Sequence, residues 1–269
     1  MPTRAELTES LQPLLEAPER GAIICDVDGT LAPIVEQAEL ARVSERTSRL
    51  LGALGRRYAV VGCVSGRGAG DARRLVGVGS LLYAGYHGAE LLGAGAREPE
   101  QMPEFEQGAD QVRRFAGELD DSGLRRLRVR LEDKGPIFAF HWRGAPDESA
   151  AHERLEKVAG AAEDEGLWTH WGRKVLEVRP PVAIDKGRAV RAMLEGRDVR
   201  AALFAGDDRT DLDGFEALGE LAAEGRLETA VRIGVASEDG PPEIVSQADL
   251  AVDGVSGFID VLAVLAGEP

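Results

Sequence analysis

The stretch Gly21–Thr30, GAIICDVDGT, predicts both the fold and the chemistry of this chain. Its apolar run, residues 22–25, is short, contains two adjacent isoleucines and stops abruptly at charge, which is typical of a buried strand. Asp26 and Asp28 follow, and Gly29 then permits a sharp turn. In open α/β sheets, ligands bind outside the carboxyl ends of the strands. The stretch therefore predicts a ligand site at the end of a buried strand.

The two aspartates of this stretch indicate a cation. Neighbouring carboxylates repel each other, and burying either without a partner is costly. Oxygen ligands on a short loop suit Mg²⁺. An EF-hand calcium loop does not fit, because its sixth and twelfth positions are Gly and Glu, whereas the same positions counted from Asp26 hold Leu31 and Gln37. The remaining alternative is an ordinary polar turn after a strand.

The composition is that of a globular protein with a strong negative charge. Of the 269 residues, 43% are hydrophobic and 29% are charged, which allows a substantial core in one large domain or two smaller ones. The formal net charge of -15 argues against a nucleic-acid partner, since phosphate backbones attract basic surfaces. The sequence shows no apolar signal region and no stretch of the roughly 18–20 apolar residues that a membrane helix needs. We therefore expect a cytoplasmic monomer that binds neither nucleic acid nor membrane.

Cysteine and histidine usage argues against a zinc site. Cys25 and Cys63 both lie in apolar, strand-like runs, where free cysteine behaves as a small buried hydrophobe. The spacing of the cysteines and histidines matches no zinc-binding pattern. Two cysteines of this kind fit a reducing compartment.

Strand-like and helix-like patterns alternate in the first part of the chain and again in its last part. Valine- and isoleucine-rich runs end at polar groups, and Ser44 is a candidate helix N-cap. Such alternation favours an α/β fold with a doubly wound, parallel, Rossmann-like sheet. The predicted elements of this part are helices over 1–20, 44–55, 71–76 and 185–194, and strands over 22–25, 58–64, 81–86, 201–205, 231–236 and 250–252.

The segment between these two parts has a different pattern. Helices alternate with strand pairs that read as half-exposed, which predicts a small α+β domain inserted into the core. Proline-rich points at 99–103 and 180–181 are suitable hinges, so we place the core at 1–102 and 180–269 and the inserted domain at 103–179. The predicted elements of the insert are helices over 102–121 and 147–165 and strands over 127–131, 137–142, 167–171 and 175–178.

Several element ends in the predicted core carry reactive side chains. Besides Asp26 and Asp28, Ser65 follows the second strand, Lys186 opens a helix, and three aspartates follow a late strand. Each has an ordinary alternative, since serine and aspartate cap helices and lysine is usually exposed. Their combination at strand ends favours one shared site. The three late aspartates are Asp207, Asp208 and Asp211.

The order of four short motifs resembles that of the haloacid dehalogenase-like phosphohydrolases. The insert between the second and third motifs is similar to the second-position cap of that superfamily, and the motifs span nearly the whole chain. The motifs are DVDGT at 26–30, SGR at 65–67, DKG at 185–187 and GDDRTD at 206–211.

Within that superfamily, the chain resembles the trehalose-6-phosphate phosphatases. Two positions depart from the pattern of the family: Trp142, where tyrosine is more usual, and Leu212, where an acidic residue is common. Neither departure touches the expected chemistry. The matching stretches are AGYHGAE at 84–90, LEDKG at 131–135, HWR at 141–143, KVLEVRP at 174–180 and GDDRTD at 206–211.

The resemblance implies a two-step, metal-dependent phosphatase mechanism. Asp26 would attack phosphorus and form an aspartyl phosphate, and Asp28 would protonate the leaving sugar oxygen and then activate water. One Mg²⁺ ion is implied, bound by Asp26, Asp207 and the backbone carbonyl of Asp28. Mn²⁺ would suit the same oxygen ligands.

The resemblance also implies how the rest of the site is divided between phosphate and sugar. Asp208 and Asp211 would orient Lys186 or metal-bound water. The phosphoryl oxygens would be held by a set of phosphate-binding residues in the core. The sugar would be read by charged residues of the cap and of two core loops, for which solvated strand residues are the alternative explanation. We expect Trp142, Trp168 and Trp171 to be core of the cap. The phosphate-binding residues are Gly29, Thr30, Ser65, Gly66 and Lys186, and the sugar-binding residues are Arg67, His87, Glu132, Lys134, Arg143, Lys174 and Glu177.

The resemblance therefore predicts an Mg²⁺-dependent phosphatase that hydrolyses trehalose 6-phosphate. A second hypothesis is another capped sugar phosphatase, for sucrose phosphate or a glycosyl phosphoglycerate, or a phosphomutase. A third is a non-catalytic module that binds phosphosugars, which the intact set of reactive residues disfavours. A dinucleotide-binding enzyme is disfavoured because both glycine-rich candidates break the GxGxxG pattern at its last position.

Overall fold

The computed structural model describes residues 2–35, 40–119, 122–172, 174–238 and 240–268. The chain forms two compact units, the core unit (Met1–Glu100 with Ile184–Pro269) and the inserted unit (Gln101–Ala183). These divisions lie close in the chain to the proline-rich points that predicted the boundaries.

Helices and strands occur throughout both units. The helices are α1 (Arg4–Ser10), α2 (Gln12–Glu16), α3 (Glu45–Arg57), α4 (Ala69–Val76), α5 (Pro103–Glu118), α6 (Ser122–Arg126), α7 (Glu148–Asp164), α8 (Lys186–Leu194), α9 (Leu212–Ala223), α10 (Pro242–Ser246) and α11 (Gly254–Ala266). The strands are β1 (Gly21–Asp26), β2 (Val60–Val64), β3 (Leu82–Gly85), β4 (Glu90–Leu92), β5 (Glu100–Gln101), β6 (Arg130–Asp133), β7 (Phe138–His141), β8 (Trp168–Gly172), β9 (Val175–Arg179), β10 (Ala201–Gly206), β11 (Thr229–Ala236) and β12 (Leu250–Asp253).

The core unit is built on one large, mostly parallel sheet. Its strand order is β12-β11-β10-β1-β2-β3-β4-β5, and β1 pairs in parallel with β10 on one side and β2 on the other. The pairing of β3 with β4 is antiparallel. The predicted parallel, doubly wound sheet is confirmed, with an antiparallel edge that the sequence pattern did not predict. Because β1 lies inside the sheet, its carboxyl end has a parallel neighbour on both sides.

Helices cover both faces of this sheet. Alternate residues of each strand point to opposite faces, so each strand contributes side chains to two apolar cores. Ile23 and Cys25 of β1 pack in the apolar core formed with α3, α4 and α11. Ala22 and Ile24 pack in a second core formed with α8 and α9. Both free cysteines are buried, as expected for small hydrophobes. Within the part of the chain described, every helix is too short or too polar to span a bilayer.

The N-terminal segment forms two helices, so the single helix expected over 1–20 is wrong. Pro13 lies in the first turn of α2, where its missing N–H and fixed φ are tolerated. In the middle of one continuous helix the same proline would break a hydrogen bond. Leu7, Leu11 and Leu14 are nevertheless buried together, as their spacing predicts.

Two further differences concern elements elsewhere in the chain. The strand expected over 127–131 lies at β6, because Arg128 has a φ of 56° and turns the chain before the strand begins. The C-terminal helices α9 and α11, which were not predicted from the sequence, complete the two faces of the core sheet. Residues 1, 120 and 121, which two of the expected helices include, lie outside the described residues.

The inserted unit is a four-stranded antiparallel sheet with helices on one face. The strand order is β6-β7-β9-β8. Phe140, Leu176 and Val178 are fully buried and pack with apolar residues of α5 and α7. The face opposite these helices, which carries Ala139 and Glu177 by alternation, is called the open face, although the Ala139 side chain is itself buried. The predicted α+β character of the insert is thus present in the structure.

Strand β8 shows which residues belong to each face of this sheet. Thr169 donates a hydrogen bond to Glu163 of α7, and Trp171 stacks on His152 of α7, so this pair lies on the helix-covered face. Trp168 and His170 alternate with them and therefore lie on the open face. The expectation that three tryptophans form the core of the insert is correct for Trp142, which is 6% exposed, and wrong for Trp168 and Trp171, which are 49% and 38% exposed.

Candidate active site

Three neighbouring strands of the core sheet deliver the predicted reactive groups to one edge. Asp26 is the last residue of β1, Asp207 follows the end of β10, and Ser65 follows the end of β2. Because the order is β10-β1-β2 and all three strands are parallel, their carboxyl ends meet. All three residues are buried, with exposures of 4%, 2% and 0%.

Lys186 is a buried cation at this edge of the sheet. It is the first residue of α8, whose N-cap Asp185 accepts a hydrogen bond from the backbone N–H of Arg188. Its Nζ lies 2.8 Å from Oδ1 of Asp26 and 2.7 Å from Oδ1 of Asp211. Asp208 is more distant, with Oδ1 at 3.7 Å. The alternative of a surface lysine is excluded, because Lys186 is only 2% exposed.

Asp26, Asp207 and Asp211 form a buried group, the carboxylate cluster. Each contributes an oxygen that lies within 4.8 Å of the others. Asp211 accepts hydrogen bonds from the backbone N–H groups of Asp207 and Asp208, both at 3.0 Å. The Thr30 hydroxyl donates to Oδ1 of Asp207 at 3.0 Å. The loops after β1 and β10 are thus joined through their side chains.

Burial and mutual repulsion set the proton affinity of the carboxylate cluster. Burial raises the pKa of Asp26 well above its usual range, an effect that Asp211 and Asp207 increase and Lys186 opposes. Burial and the charge of Asp211 raise the pKa of Asp207 to about 7, and burial raises that of Asp211 to about 6. Burial alone would lower the pKa of Lys186, but Asp211 and Asp26 raise it, so the lysine is charged. The single ammonium does not balance three carboxylates.

Gly29 makes room for this arrangement. Its φ is 96°, and a Cβ built there would lie 2.0 Å from Oδ2 of Asp207. Any side chain would therefore collide with the carboxylate cluster and strain the turn. The glycine that was expected to permit a sharp turn is required for the close approach of two loops.

Asp28 lies in a different environment from the other predicted metal ligands. Its two carboxylate oxygens accept hydrogen bonds from Nε and Nη2 of Arg67, at 2.7 and 2.6 Å. Arg67 in turn donates its backbone N–H to Oγ of Ser65 at 3.1 Å. Asp28 is therefore held by the SGR motif, and the third carboxylate of the cluster is Asp211. The spacing of Asp207 and Asp211 across one short turn is the sequence signal that could have indicated that Asp211 belongs to the carboxylate cluster.

His87 lies in an unusual turn beside the SGR motif. Its φ is 59°, that of Tyr86 is 49° and that of Gly88 is 110°, so three successive residues are left-handed. The backbone N–H of His87 donates to the carbonyl of Ser65, and that of Tyr86 to the carbonyl of Arg67, both at 2.9 Å. His87 is thus brought next to the predicted phosphate-binding loop.

The predicted sugar-binding residues of the inserted unit fall into two groups. Glu132, Lys134 and Glu177 share the open face, because Glu132 and Glu177 both lie opposite Ala139 and Lys134 contacts Glu177. Lys174 lies in the turn between β8 and β9, where it is paired with Glu148 of α7. Arg143 lies in the turn that follows β7.

Glu177 is held by two cations on the open face. Lys134 Nζ lies 3.0 Å from Oε1, and Arg179 binds Oε2 through its Nε at 3.1 Å and also through Nη2. Burial alone would raise the pKa of Glu177, but Arg179 and Lys134 lower it to about 2. Arg179 was missed among the residues predicted from the sequence, although its position two residues after Glu177 on one strand places it on the same face.

The chain is similar to known proteins over most of its length. A family model described as Trehalose-phosphatase matches residues 24–256. A trehalose-phosphate phosphatase of Mycobacterium marinum is 32% identical over 235 residues, which are 80% of this chain and 57% of that protein. An uncharacterized glycosyl hydrolase of Mycobacterium tuberculosis is 34% identical over 230 residues, which are 81% of this chain and 17% of that protein.

A solved structure gives the same fold. The C-terminal domain of Candida albicans trehalose-6-phosphate phosphatase superposes with a TM-score of 0.70 at 20% identity, covering 99% of this chain and 97% of that one. The chain spans 57% and 17% of the two curated relatives, which are the longer proteins. The family model covers most of the chain and includes all four motifs, the carboxylate cluster and the charged residues of the open face. The chain therefore belongs to the trehalose-phosphatase family.

Proposed function

We propose that this protein is an Mg²⁺-dependent phosphatase that hydrolyses trehalose 6-phosphate to trehalose and phosphate. The observation that carries the proposal is the buried contact of Lys186 with Asp26 beside two further carboxylates. A nucleophilic carboxylate next to a fixed cation and a metal-binding group is the equipment of phosphoryl transfer. Membership of the trehalose-phosphatase family, together with the names of its relatives, supports the substrate.

The carboxylate cluster fits a magnesium ion. Its donors are hard oxygens, they lie within reach of one ion, and the three acidic groups outnumber the single ammonium of Lys186. Asp26, Asp207 and Asp211 would hold the ion, with the backbone carbonyl of Asp28 as the further ligand that the resemblance implies. The ion would supply positive charge that reduces repulsion between an anionic nucleophile and an anionic phosphate.

The first chemical step is the attack of Asp26 on phosphorus. A bond forms between a carboxylate oxygen of Asp26 and phosphorus, while the bond from phosphorus to the sugar oxygen breaks. Asp28 gives its proton to the leaving sugar oxygen as general acid. The products of this step are trehalose and an aspartyl phosphate on Asp26.

The second step restores the enzyme. Asp28, now a carboxylate, takes a proton from water as the water attacks phosphorus, and the bond to Asp26 breaks to release phosphate. Arg67 binds both carboxylate oxygens of Asp28 in the free protein, so it is in position to stabilise the ionised form that this step requires. Ser65 and Lys186, with Gly29, Thr30 and Gly66, would hold the phosphoryl oxygens in both steps.

The open face of the inserted unit is the proposed sugar-reading surface. A disaccharide offers many hydroxyl groups, and a carboxylate that stays ionised is a strong acceptor for them. Glu177 is such a carboxylate, because Arg179 and Lys134 fix both its orientation and its charge. Glu132 and Lys134 share this face, and Trp168 adds an exposed aromatic ring on the neighbouring edge strand.

The proposal is tested by phosphate release with Mg²⁺ from four phosphosugars: trehalose 6-phosphate, sucrose 6-phosphate, glucose 6-phosphate and a glycosyl phosphoglycerate. We expect a strong preference for trehalose 6-phosphate and no release by Asp26→Asn. Activity on a different sugar alone would keep the mechanism and reject the substrate. Absence of release from every substrate would reject the phosphatase and favour a phosphosugar-binding module.

A further inference from the structure

Glu90 is a buried carboxylate outside the groups described above. It is the first residue of β4, its neighbours in the chain are apolar, and it is 6% exposed. Burial raises its pKa above the usual range. A charged residue is seldom buried at such a position without a partner that requires it.

The partner of Glu90 is the start of helix α4. Its Oε1 accepts a hydrogen bond from the backbone N–H of Ala69 at 2.6 Å. Ala69 is the first residue of α4, and the N-cap position is Gly68, which has no side chain to satisfy the free N–H groups of the first turn. Glu90 therefore caps α4 from a strand that follows it in sequence.

Two glycines leave the space that this carboxylate needs. A Cβ at Gly85 would lie 2.5 Å from Oε1 of Glu90, and one at Gly68 would lie 3.4 Å from the same atom. The carboxylate is therefore inserted between the end of β3 and the residue that precedes α4. This packing connects Glu90 directly to the SGR loop, since Gly68 follows Arg67 in the chain.

The left-handed turn at 86–88 joins the same structure from the other side. Its N–H groups bind the carbonyls of Ser65 and Arg67, as described above. A Cβ at Gly88 would lie 3.0 Å from the carbonyl of Asp185, so the turn also lies against the start of α8. Three consecutive left-handed residues persist only where the surroundings enforce them. Glu90 follows this turn by two residues and fixes its end to α4.

We infer that Glu90 is a positioning residue for the phosphoryl-transfer site. Its hydrogen bond to Ala69 fixes the loop that carries Ser65 and Arg67, and Arg67 in turn holds Asp28. The role requires an acceptor oxygen at the correct reach and does not require a charge. The inference rests on the proposed phosphatase activity for its kinetic consequence, whereas the contact itself can be measured without activity.

Two conservative variants separate reach from charge. Glu90→Gln keeps the length and an acceptor oxygen but removes the charge, and Glu90→Asp keeps the charge but withdraws the oxygen by about one carbon–carbon bond. We expect kcat of Glu90→Gln within about threefold of wild type. We expect kcat of Glu90→Asp to fall about 10- to 100-fold, since a misplacement of the order of 1 Å has such a cost.

The assay uses trehalose 6-phosphate and p-nitrophenyl phosphate with the full chain and Mg²⁺. The matched control is Asp71→Ala, which removes an exposed carboxylate from the first turn of the same helix and is expected to leave kcat unchanged. A loss in kcat on both substrates with little change in KM supports positioning. If Glu90→Asp retains full activity, or Glu90→Gln loses more than Glu90→Asp, the inference is rejected.

Amide hydrogen exchange at Ala69 tests the contact independently of catalysis. We expect the Ala69 amide to exchange at least about tenfold faster in Glu90→Asp than in wild type, with protection retained in Glu90→Gln. Equal protection in all three proteins would reject the inference. If wild type releases phosphate from neither substrate, the proposed function fails and this role in catalysis fails with it, while normal p-nitrophenyl phosphate hydrolysis without trehalose 6-phosphate activity rejects the substrate alone.

Discussion

The carboxylate cluster of the core unit and the charged group of the open face solve opposite electrostatic problems. In the first, the one ammonium of Lys186 lies beside a group of three buried carboxylates. In the second, two cations serve one carboxylate, Glu177. The pKa values follow this count, because burial and repulsion raise that of Asp207 to about 7, whereas Arg179 and Lys134 overcome burial and lower that of Glu177 to about 2.

The difference indicates what each group is prepared to bind. A site with too many carboxylates gains stability when a cation enters, which is the behaviour of a metal site. A carboxylate held by two cations is ionised at all ordinary pH values and is already oriented, so it can accept hydrogen bonds without reorganisation. Under the proposed function, the balance of charge among neighbouring side chains therefore distinguishes a group suited to metal-dependent chemistry from one suited to sugar recognition.

The largest expected effect comes from removing the proposed nucleophile. Asp26→Asn should lower kcat on every substrate by about 10⁴-fold or more, because the amide cannot form the acyl phosphate. The fold should remain, since the change removes a charge from an overcrowded group. Phosphate release and circular dichroism of the purified variant measure the two effects. Activity within about tenfold of wild type would reject Asp26 as nucleophile, and Asp71→Asn is the matched exposed control.

A second prediction sharpens the electrostatic contrast at Asp207. Its raised pKa means that the ionised form destabilises the metal-free fold, so stability should decrease as pH rises from about 4 through about 7. Asp207→Asn should therefore raise the Tm of the EDTA-treated protein at pH 8 and lower kcat about 10³-fold. It should also abolish the rise in Tm that Mg²⁺ gives to wild type.

The control for this prediction is Asp208→Asn, at a carboxylate that is half-exposed and more distant from Lys186. Its metal-free Tm should change little, and its response to Mg²⁺ should persist. A lower metal-free Tm for Asp207→Asn, or an unchanged response to Mg²⁺, would contradict the assignment of the carboxylate cluster as the metal site.

A third prediction concerns the open face. Glu177→Ala should raise KM for trehalose 6-phosphate by about 100-fold, the cost of losing charge-assisted hydrogen bonds. The KM for p-nitrophenyl phosphate should not change, because that substrate has no sugar. Glu132→Ala should act in the same direction, and the control is His152→Ala in α7, the helix that packs on the opposite face of the sheet. Equal effects of Glu177→Ala on both substrates would argue against a sugar-reading face.

The meeting of the reactive side chains at one edge of the core sheet could be predicted from the sequence, because the ends of buried strands can be located from the apolar pattern. Asp26, Ser65 and Asp207 each follow an apolar run, and parallel strands bring such ends together. The sequence pattern does not predict the direction in which each side chain points after its strand ends. Asp28 and Asp211 show this, since Arg67 binds both carboxylate oxygens of the first, and the backbone N–H groups of Asp207 and Asp208 hold the second within the carboxylate cluster.

The side-chain exposure and partnerships in the inserted unit were harder to predict from the sequence, for a different physical reason. Its strands have one covered and one open face, and a shift in register or boundary exchanges the two. Trp168 and Trp171 are the same residue type on one strand, and their exposure cannot be assigned before the residues that pack against them are known. The partnership of Glu177 with Arg179 follows from a period of two along β9, but only once β9 is known to be a strand.

The smallest expected effect uses pH to measure how strongly the open face holds its carboxylate. The pKa of Glu177 is about 2 in the folded protein, against 4.5 for an ordinary glutamate. The stabilisation that this shift represents is complete above pH 4.5 and is lost as pH falls towards 2. From pH 7 to pH 3 the loss from this group alone amounts to about 2 kcal/mol.

The measurement is the free energy of unfolding of wild type and Glu177→Gln in urea at several pH values. Glutamine has nearly the same shape but cannot titrate, so the difference between the two proteins isolates the carboxylate. Wild type should be the more stable protein at pH 7, and its advantage should shrink by about 2 kcal/mol at pH 3. A difference that is independent of pH would mean that Arg179 and Lys134 do not hold Glu177 as an anion, and the contrast with the carboxylate cluster would then be lost.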